Sequence, residues 1–359
     1  MTLSAGFYPL KILDIRRETD DAISVMLEPT PDMTADFRFA PGQHLTFRAD
    51  IDGEDVRRNY SICVAPGRPL KVGIKKVEGG LFSSWATATL KAGGTIEAMA
   101  PRGHFTWDFD PNQARNYLCF AGGSGITPIL SLIEAGLAVE PNSQFTLLYG
   151  NRTSNSIMFL EELADLKDRH IGRLQIYHFL TAEADDIDLF NGRLDEARIA
   201  EVLDSLVDPT SIDVAFICGP GPMMDNAERA MIGAGVPADQ VLVERFTVDR
   251  PSAADEQAER AVAEKAEGLA MQVTIDGRRR LVAFHAEKGS ILESARAAGL
   301  PAPFACKAGV CATCRAKLIG GEVRMKANYG LSAEEVAQGY VLTCQAVPLG
   351  EGVMLDYDA

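Results

Sequence analysis

Toward its carboxyl end the chain carries four of its seven cysteines in a fixed order: Cys306, Cys311 and Cys314, spaced C-x4-C-x2-C, and then a distant Cys344. No other feature constrains the fold as much, because three thiols on one short loop and a fourth far downstream need a shared reason to exist. This spacing is an established ligand pattern for a 2Fe-2S cluster. The local chemistry agrees, since Ala305-Cys306-Lys307-Ala308-Gly309-Val310-Cys311-Ala312-Thr313-Cys314 is a loop of small residues that can wrap tightly and aim backbone N-H groups at sulfur. The alternatives are zinc and unpaired core thiols. Zinc usually takes two close ligand pairs. Here three ligands share one loop, and the fourth, in Leu342-Thr343-Cys344-Gln345, is expected on a strand.

A chain of 359 residues is long enough for two or three domains, each with its own core. With 50 acidic against 35 basic residues, the net charge of -15 argues against nucleic acid and an anionic membrane surface as partners, since both need a positive footprint. A basic protein partner is compatible with it. The first residues, Met1 to Phe7, lack a basic stretch followed by an apolar one, and no run is long enough to span a bilayer. The expected location is cytoplasmic. The other cysteines, Cys63, Cys119 and Cys218, lie in separate apolar stretches and are expected to be buried thiols.

Three pieces follow from the hydrophobic pattern. Residues 1–110 hold short alternating runs (Lys11 to Arg16, Ala22 to Glu28, His44 to Ile51, Arg57 to Val64, Lys71 to Val77), with Asp52-Gly53 as a hairpin turn between two of them. That predicts a small antiparallel β-barrel. Over 111–249 strands alternate with helices: Tyr117 to Ala121, Gln144 to Tyr149, Leu174 to Leu180, Asp213 to Cys218 and Gln240 to Glu244. This is the sign of a parallel-sheet α/β domain. Within it Thr127 is expected to cap a helix, with Pro128 at its first position. Residues 250–268, rich in Ala, Glu and Asp, read as a linker, partly helical. Residues 269–359 form a small α+β domain opening with Met271 to Ile275, an Asp276-Gly277 turn and Arg280 to Phe284; Ser290 then caps a short helix ending at Gly299.

Arg58-Asn59-Tyr60-Ser61 ends a predicted strand and offers a cation, an aromatic face and a hydroxyl. Alternation puts Arg58 and Tyr60 on one side and Ser61 on the other unless the backbone bends. Alone, the motif fits a surface strand with a barrel-packing tyrosine equally well. Lys75 to Trp85 runs from strand through Gly79-Gly80 to a helix containing Ser83. Glycines let a backbone approach a diphosphate, and free N-H groups at a helix start attract anions. The two signals favour a flavin dinucleotide over an ordinary turn. A second strand, glycine loop and helix occurs at Ala121-Gly122-Gly123-Ser124-Gly125-Ile126-Thr127-Pro128, which matches neither G-x-G-x-x-G nor a P-loop nor G-x-S-x-G. Cys218-Gly219-Pro220, ending a later strand, is expected to meet this loop at the carboxyl edge of the sheet, where open α/β sheets bind ligands.

Taken in order, Arg58-Asn59-Tyr60-Ser61, Gly122 to Pro128, Cys218-Gly219-Pro220, Glu244-Arg245-Phe246 and the cysteine loop resemble the ferredoxin-NADP reductase superfamily. The arrangement is most similar to oxygenase reductases with a C-terminal plant-type ferredoxin domain, the branch holding the phenylacetyl-CoA epoxidase and 3-ketosteroid 9α-hydroxylase reductases. The resemblance covers nearly the whole chain outside the linker. It implies a barrel that binds FAD, a nucleotide-binding α/β domain and a β-grasp ferredoxin domain. By it, Tyr60 lies against the isoalloxazine ring, Ser61 bonds near its N5, and Arg58, Lys75, Gly80 and Ser83 belong to the FAD site. Gly122, Gly123, Ser124, Gly125 and Thr127 hold the diphosphate of the nicotinamide nucleotide. Cys218, with Gly219 and Pro220, borders the nicotinamide, and Glu244 and Phe246 are the acidic and aromatic pair beside the flavin. Without it these three read as a core Cys, a surface Glu and a core Phe.

The resemblance also explains two cofactors in one chain. A nicotinamide gives up two electrons at once, a cluster accepts one, and a flavin stands between. After the strand ending Tyr149-Gly150 comes Asn151-Arg152-Thr153-Ser154, where an NAD site would often hold an acidic residue; Arg152 better suits a 2′-phosphate, so NADPH is favoured over NADH. The implied function is transfer of electrons from NAD(P)H through FAD and the 2Fe-2S cluster to a separate terminal oxygenase. With only five histidines, the chain shows no oxygenase site of its own. A diaphorase serving a cytochrome, or a non-catalytic iron-sulfur sensing module, are the competing readings.

Overall fold

Alternating short runs in the first hundred residues pair into a single antiparallel sheet. The computed structural model describes residues 6–246 and 253–359, so residues 250–252 of the expected linker and the first five residues lie outside the described residues. Six strands, β1 (Tyr8–Thr19), β2 (Ala22–Glu28), β3 (His44–Ile51), β4 (Glu54–Ser61), β5 (Leu70–Lys75) and β6 (Thr95–Ala98), lie in the order β4-β3-β6-β1-β2-β5. An antiparallel bridge between Ile62 and Val72 joins the two edges and closes the barrel. Asp52 and Gly53 form the tight β3–β4 turn at φ 54° and 84°, the conformation a two-residue hairpin of the primed type requires. Helix α1 (Leu81–Thr89) buries Phe82 and Ala86 in the barrel core.

The next five strands are all parallel: β7 (Asn116–Gly122), β8 (Gln144–Asn151), β9 (Leu174–Leu180), β10 (Val214–Cys218) and β11 (Val241–Glu244), in the order β11-β10-β7-β8-β9. Helices α2 (Ile126–Val139) and α3 (Leu160–Arg169) cover one face, while α4 (Glu196–Ser205) and α5 (Gly221–Gly233) cover the other. The chain proceeds outward from β7 through β8 and β9, then returns to the other side of β7. The reversal falls between β7 and β10, where ligand crevices form in such sheets. Helix α2 starts at Ile126, ahead of the expected Thr127 cap, with Gly125 at its N-cap and the Thr127 hydroxyl donating to the Ser124 carbonyl at 2.9 Å. Pro128 is tolerated as the third helical residue because every N-H of the first turn lacks an intrahelical acceptor.

Barrel and parallel sheet belong to one compact unit, Met1–Phe246. The reason is packing: Ala22, Cys63 and Phe105 from the barrel side sit in the same core as α2 and the sheet. Polar contacts reinforce it. The Ser131 hydroxyl donates to the Val64 carbonyl at 2.6 Å, and Glu134 accepts from Arg68 at 2.6 Å and from the Ala65 N-H at 2.9 Å.

The second unit, Thr247–Ala359, has its own core. Helix α6 (Ala253–Lys265) falls within the expected linker and sends Ala263 into that core. Strands β12 (Ala270–Ile275), β13 (Arg278–Ala283), β14 (Arg315–Gly320), β16 (Tyr340–Leu342) and β18 (Val353–Asp356) form a mixed sheet in the order β13-β12-β18-β14-β16; β15 (Val323–Met325) pairs with β17 (Ala346–Pro348). Helix α7 (Ile291–Ala297) is capped by Ser290, whose Oγ accepts from the Glu293 N-H at 3.3 Å, and α8 (Ala333–Ala337) precedes β16. Among the described residues no helix is long and apolar enough to cross a membrane.

Candidate functional site

The cysteine loop joins α7 to β14, and its turns use left-handed backbone at Lys307 (φ 54°), Gly309 (φ 77°) and Ala312 (φ 51°). Such curvature points N-H groups inward. The Cys306 Sγ accepts from the Ala308 and Cys311 N-H groups at 3.3 and 3.4 Å, and the Cys311 Sγ accepts from the Cys306 N-H at 3.5 Å. Cys344 lies in the tight turn between β16 and β17, not on a strand as the sequence suggested, because the Gln345 N-H turns back to the Leu342 carbonyl at 2.9 Å. That turn is tied to the loop through Thr343, whose hydroxyl donates to the Cys314 carbonyl at 2.9 Å and accepts from Tyr357 at 2.7 Å.

The four thiols perturb one another. Contact with Cys311, then burial, pushes the Cys306 thiol up, while the same contact holds Cys311 well below its ordinary value. Cys314 is raised by Cys344, then by burial, and Cys344 is lowered in turn. Among the described residues no group of three or more His, Cys, Asp or Glu converges as a single ion would need. Three thiols on one loop, with a fourth on a turn tied to it through Thr343, would suit a two-iron cluster held by four cysteines. Soft thiolates with N-H donors on sulfur are the donor set that cluster requires. Thr313, between two of the ligands, is 3% exposed and its hydroxyl has no hydrogen-bond partner.

On the barrel, Tyr60 packs its ring against Phe47 and Phe82, with centroids 5.8 and 5.7 Å away. Burial raises its phenol pKa, with the Arg58 charge opposing. Arg58 is exposed and donates to the Arg57 carbonyl at 2.7 Å. Ser61, at the end of β4, turns to the opposite, buried side, and its Oγ has no hydrogen-bond partner. An unpaired buried hydroxyl costs about 1–3 kcal/mol, a cost a ligand acceptor or donor removes. The Ser83 Oγ accepts from the Val77 N-H at 3.1 Å and donates to the Gly80 carbonyl at 3.4 Å, so it fixes the turn into α1, with Gly80 at the N-cap. A Cβ at Gly80 would lie 2.7 Å from Ser83 Oγ. Lys75 faces Asp21 at 3.5 Å.

At the sheet reversal the two glycine loops touch as expected. A Cβ at Gly125 would lie 2.1 Å from the Cys218 carbonyl oxygen, one at Gly122 would lie 2.4 Å from Pro220, and one at Gly219 would lie 2.9 Å from the Gly122 nitrogen. Gly123, at φ 52°, has open space on its Cβ side, and its carbonyl accepts from the Tyr149 hydroxyl at 2.9 Å. Ser124 is the middle residue of the single 3-10 turn that leads into α2. Cys218 is buried, and burial, then the Glu244 charge, raises its pKa well above the ordinary value; the thiol is neutral. Glu244 stands beside it in register on β11, whereas Phe246 is 39% exposed at the end of the described segment. Arg152 is exposed just past β8. Beside it, Asn151 is 7% exposed with neither amide atom hydrogen-bonded. Sequence reasoning quoted Asn151, Thr313 and Gln345 inside their motifs but gave none of them a role; the available signal was a polar residue directly adjoining a motif residue.

Family models describe three consecutive regions: an oxidoreductase FAD-binding domain over residues 11–107, an oxidoreductase NAD-binding domain over 120–229 and a 2Fe-2S iron-sulfur cluster binding domain over 273–349. The chain is 43% identical over 355 residues to a component of the 1,2-phenylacetyl-CoA epoxidase of Escherichia coli (strain K12), covering 98% of each chain. It is 34% identical over 367 residues to the ferredoxin reductase component of 3-ketosteroid-9-alpha-monooxygenase from Mycobacterium tuberculosis, covering 97% of this chain and 95% of that one. Among solved structures, phthalate dioxygenase reductase matches 98% of both chains with a TM-score of 0.56 at 24% identity. An intact type IV self-sufficient cytochrome P450 monooxygenase matches 97% of this chain but 41% of its own, with a TM-score of 0.70 at 22% identity. These two structural likenesses speak for the fold alone.

Proposed function

Because the chain belongs to the family of NAD(P)H-dependent flavin and 2Fe-2S reductases of the ferredoxin reductase type, we propose that it is the electron-supplying component of a multicomponent oxygenase and hands electrons singly to a separate terminal oxygenase. The relatives whose names are oxygenase components support that partner. The observation that carries the reading is the cysteine loop, which turns its own N-H groups onto the Cys306 and Cys311 sulfurs and is tied through Thr343 to the turn holding Cys344, on a chain that also has a barrel and a parallel sheet with converging glycine loops. The flavin supplies the step from paired to single electrons when bound.

The domain limits that go with this reading are 1–110 for FAD, 111–249 for the nucleotide and 269–359 for the cluster, with 250–268 joining them. Tyr60 and Ser61 would hold the flavin ring, with Arg58, Lys75, Gly80 and Ser83 toward its diphosphate. Gly122 to Gly125 and Thr127 would take the nucleotide diphosphate, Cys218, Gly219 and Pro220 would border the nicotinamide, and Glu244 and Phe246 would flank the flavin. A neutral Cys218 suits this place, since a thiolate there would attack an electron-poor ring. None of the seven cysteines is in a disulfide, which fits a cytoplasmic protein.

The test is a visible spectrum of the purified protein. Flavin and cluster absorption that both bleach on anaerobic addition of NADPH or NADH are expected; a spectrum that does not bleach removes the reading. NADPH is the proposed donor, because Arg152 is exposed with no ion-pair partner among the described residues. Arg152→Ala is expected to raise KM for NADPH about tenfold and to leave NADH nearly unchanged, the loss of one charge-assisted phosphate contact. Equal effects on both donors would remove the preference.

A further inference from the structure

One side chain outside the ligand set closes the cysteine loop onto the turn that carries the fourth ligand. Gln345 follows Cys344 directly, and its amide Nε2 lies 2.9 Å from the Lys307 carbonyl and 3.6 Å from the Cys344 Sγ. A primary amide has two N-H donors. Both are used, one on each side of the site. The Lys307 carbonyl belongs to a residue in the left-handed region (φ 54°), a conformation that a side chain other than glycine's disfavours. The Gln345 stem reaches it by crossing Gly309, where a Cβ would lie 2.9 Å from Gln345 Cγ and 3.1 Å from the Ala327 carbonyl oxygen. Gly309 is therefore needed twice, for its positive φ and for the space Gln345 occupies.

We infer that Gln345 is a positioning residue that sets the reduction potential of the cluster, its amide latching the Lys307 turn and donating a hydrogen bond to the sulfur of Cys344. A donor on a ligand sulfur stabilises the extra negative charge of the reduced state and raises the potential. Being half-buried, Gln345 acts where solvent screens the bond only in part. The inference rests on the 2Fe-2S reading above.

Two variants of the full-length holoprotein test it, with iron and sulfide content measured first and the midpoint potential then read by EPR-monitored titration. Gln345→Met keeps the length and removes both donors; Gln345→Lys keeps a donor. Expected is a lower potential in Gln345→Met, up to a tenfold shift in the one-electron equilibrium or about 59 mV, with cluster content unchanged, and a potential in Gln345→Lys at or above that of the parent. An unchanged potential in a cluster-replete Gln345→Met overturns the inference. Should Gln345→Met lose its cluster, Gln345→Lys decides: retention with an undiminished potential supports donation, and loss or a lowered potential overturns it. Parent protein without iron would instead remove the 2Fe-2S reading itself.

Discussion

Replacing Cys311 with serine is expected to cut one-electron reduction of cytochrome c by about 100-fold or more, beyond what outer-shell changes at metal sites cost, while NAD(P)H oxidation with an artificial two-electron acceptor stays near the parent rate. Cys311 is 5% exposed and exchanges N-H to sulfur bonds with Cys306 in both directions. Serine offers a harder oxygen that cannot match a soft thiolate toward iron. It also removes the partner that holds Cys306 in place. The barrel and parallel sheet form a separate compact unit with their own cores, so nothing in them depends on this thiol for folding. Stopped-flow absorbance separates the two activities. If both fall together, the proposed division of labour between the two units is wrong.

The second large effect is expected at Gly125. Its φ of -60° is ordinary helical backbone, so alanine there meets no conformational penalty. The difficulty is space: the added methyl would sit 2.1 Å from the Cys218 carbonyl oxygen and 2.9 Å from the Gly219 nitrogen. Backbone cannot yield as a flexible side chain does. The loops after β7 and β10 must move apart, at an overpacking cost of about 1–3 kcal/mol. The affinity for NADPH and NADH is expected to fall tenfold or more, measured by titration of flavin reduction. Binding unchanged within twofold would mean that contact between these loops does not shape the nucleotide site.

Much of this architecture was legible because local chemistry decided it. Asp52-Gly53 and Asp276-Gly277 both adopt positive φ, as their turns demand, and β9 spans Leu174–Leu180 as the apolar run implied. The cysteine spacing implied one tight loop, and the loop does turn its N-H groups onto its own sulfurs. Two local readings missed by small amounts with clear causes. Pro128 looked like a first helical residue, yet any first-turn position tolerates it. Cys344 looked like strand because its neighbours are apolar, whereas the three-residue break between β16 and β17 is a turn closed by one backbone bond. What could not be read was tertiary: that Ser131 and Glu134 on α2 bind backbone of the barrel, or that Gln345 crosses Gly309. Such contacts join residues with no periodic relation in the sequence.

The common core beneath the barrel and the sheet has a consequence for how such a protein can be rearranged by recombination. Severing the chain near residue 110 would strip cover from Phe105, Cys63 and the inner side of α2, leaving two oily fragments. A break after Phe246 leaves each half with its own interior. As heritable parts, the chain therefore consists of one long cassette and one short one, and only the short one is free to be traded.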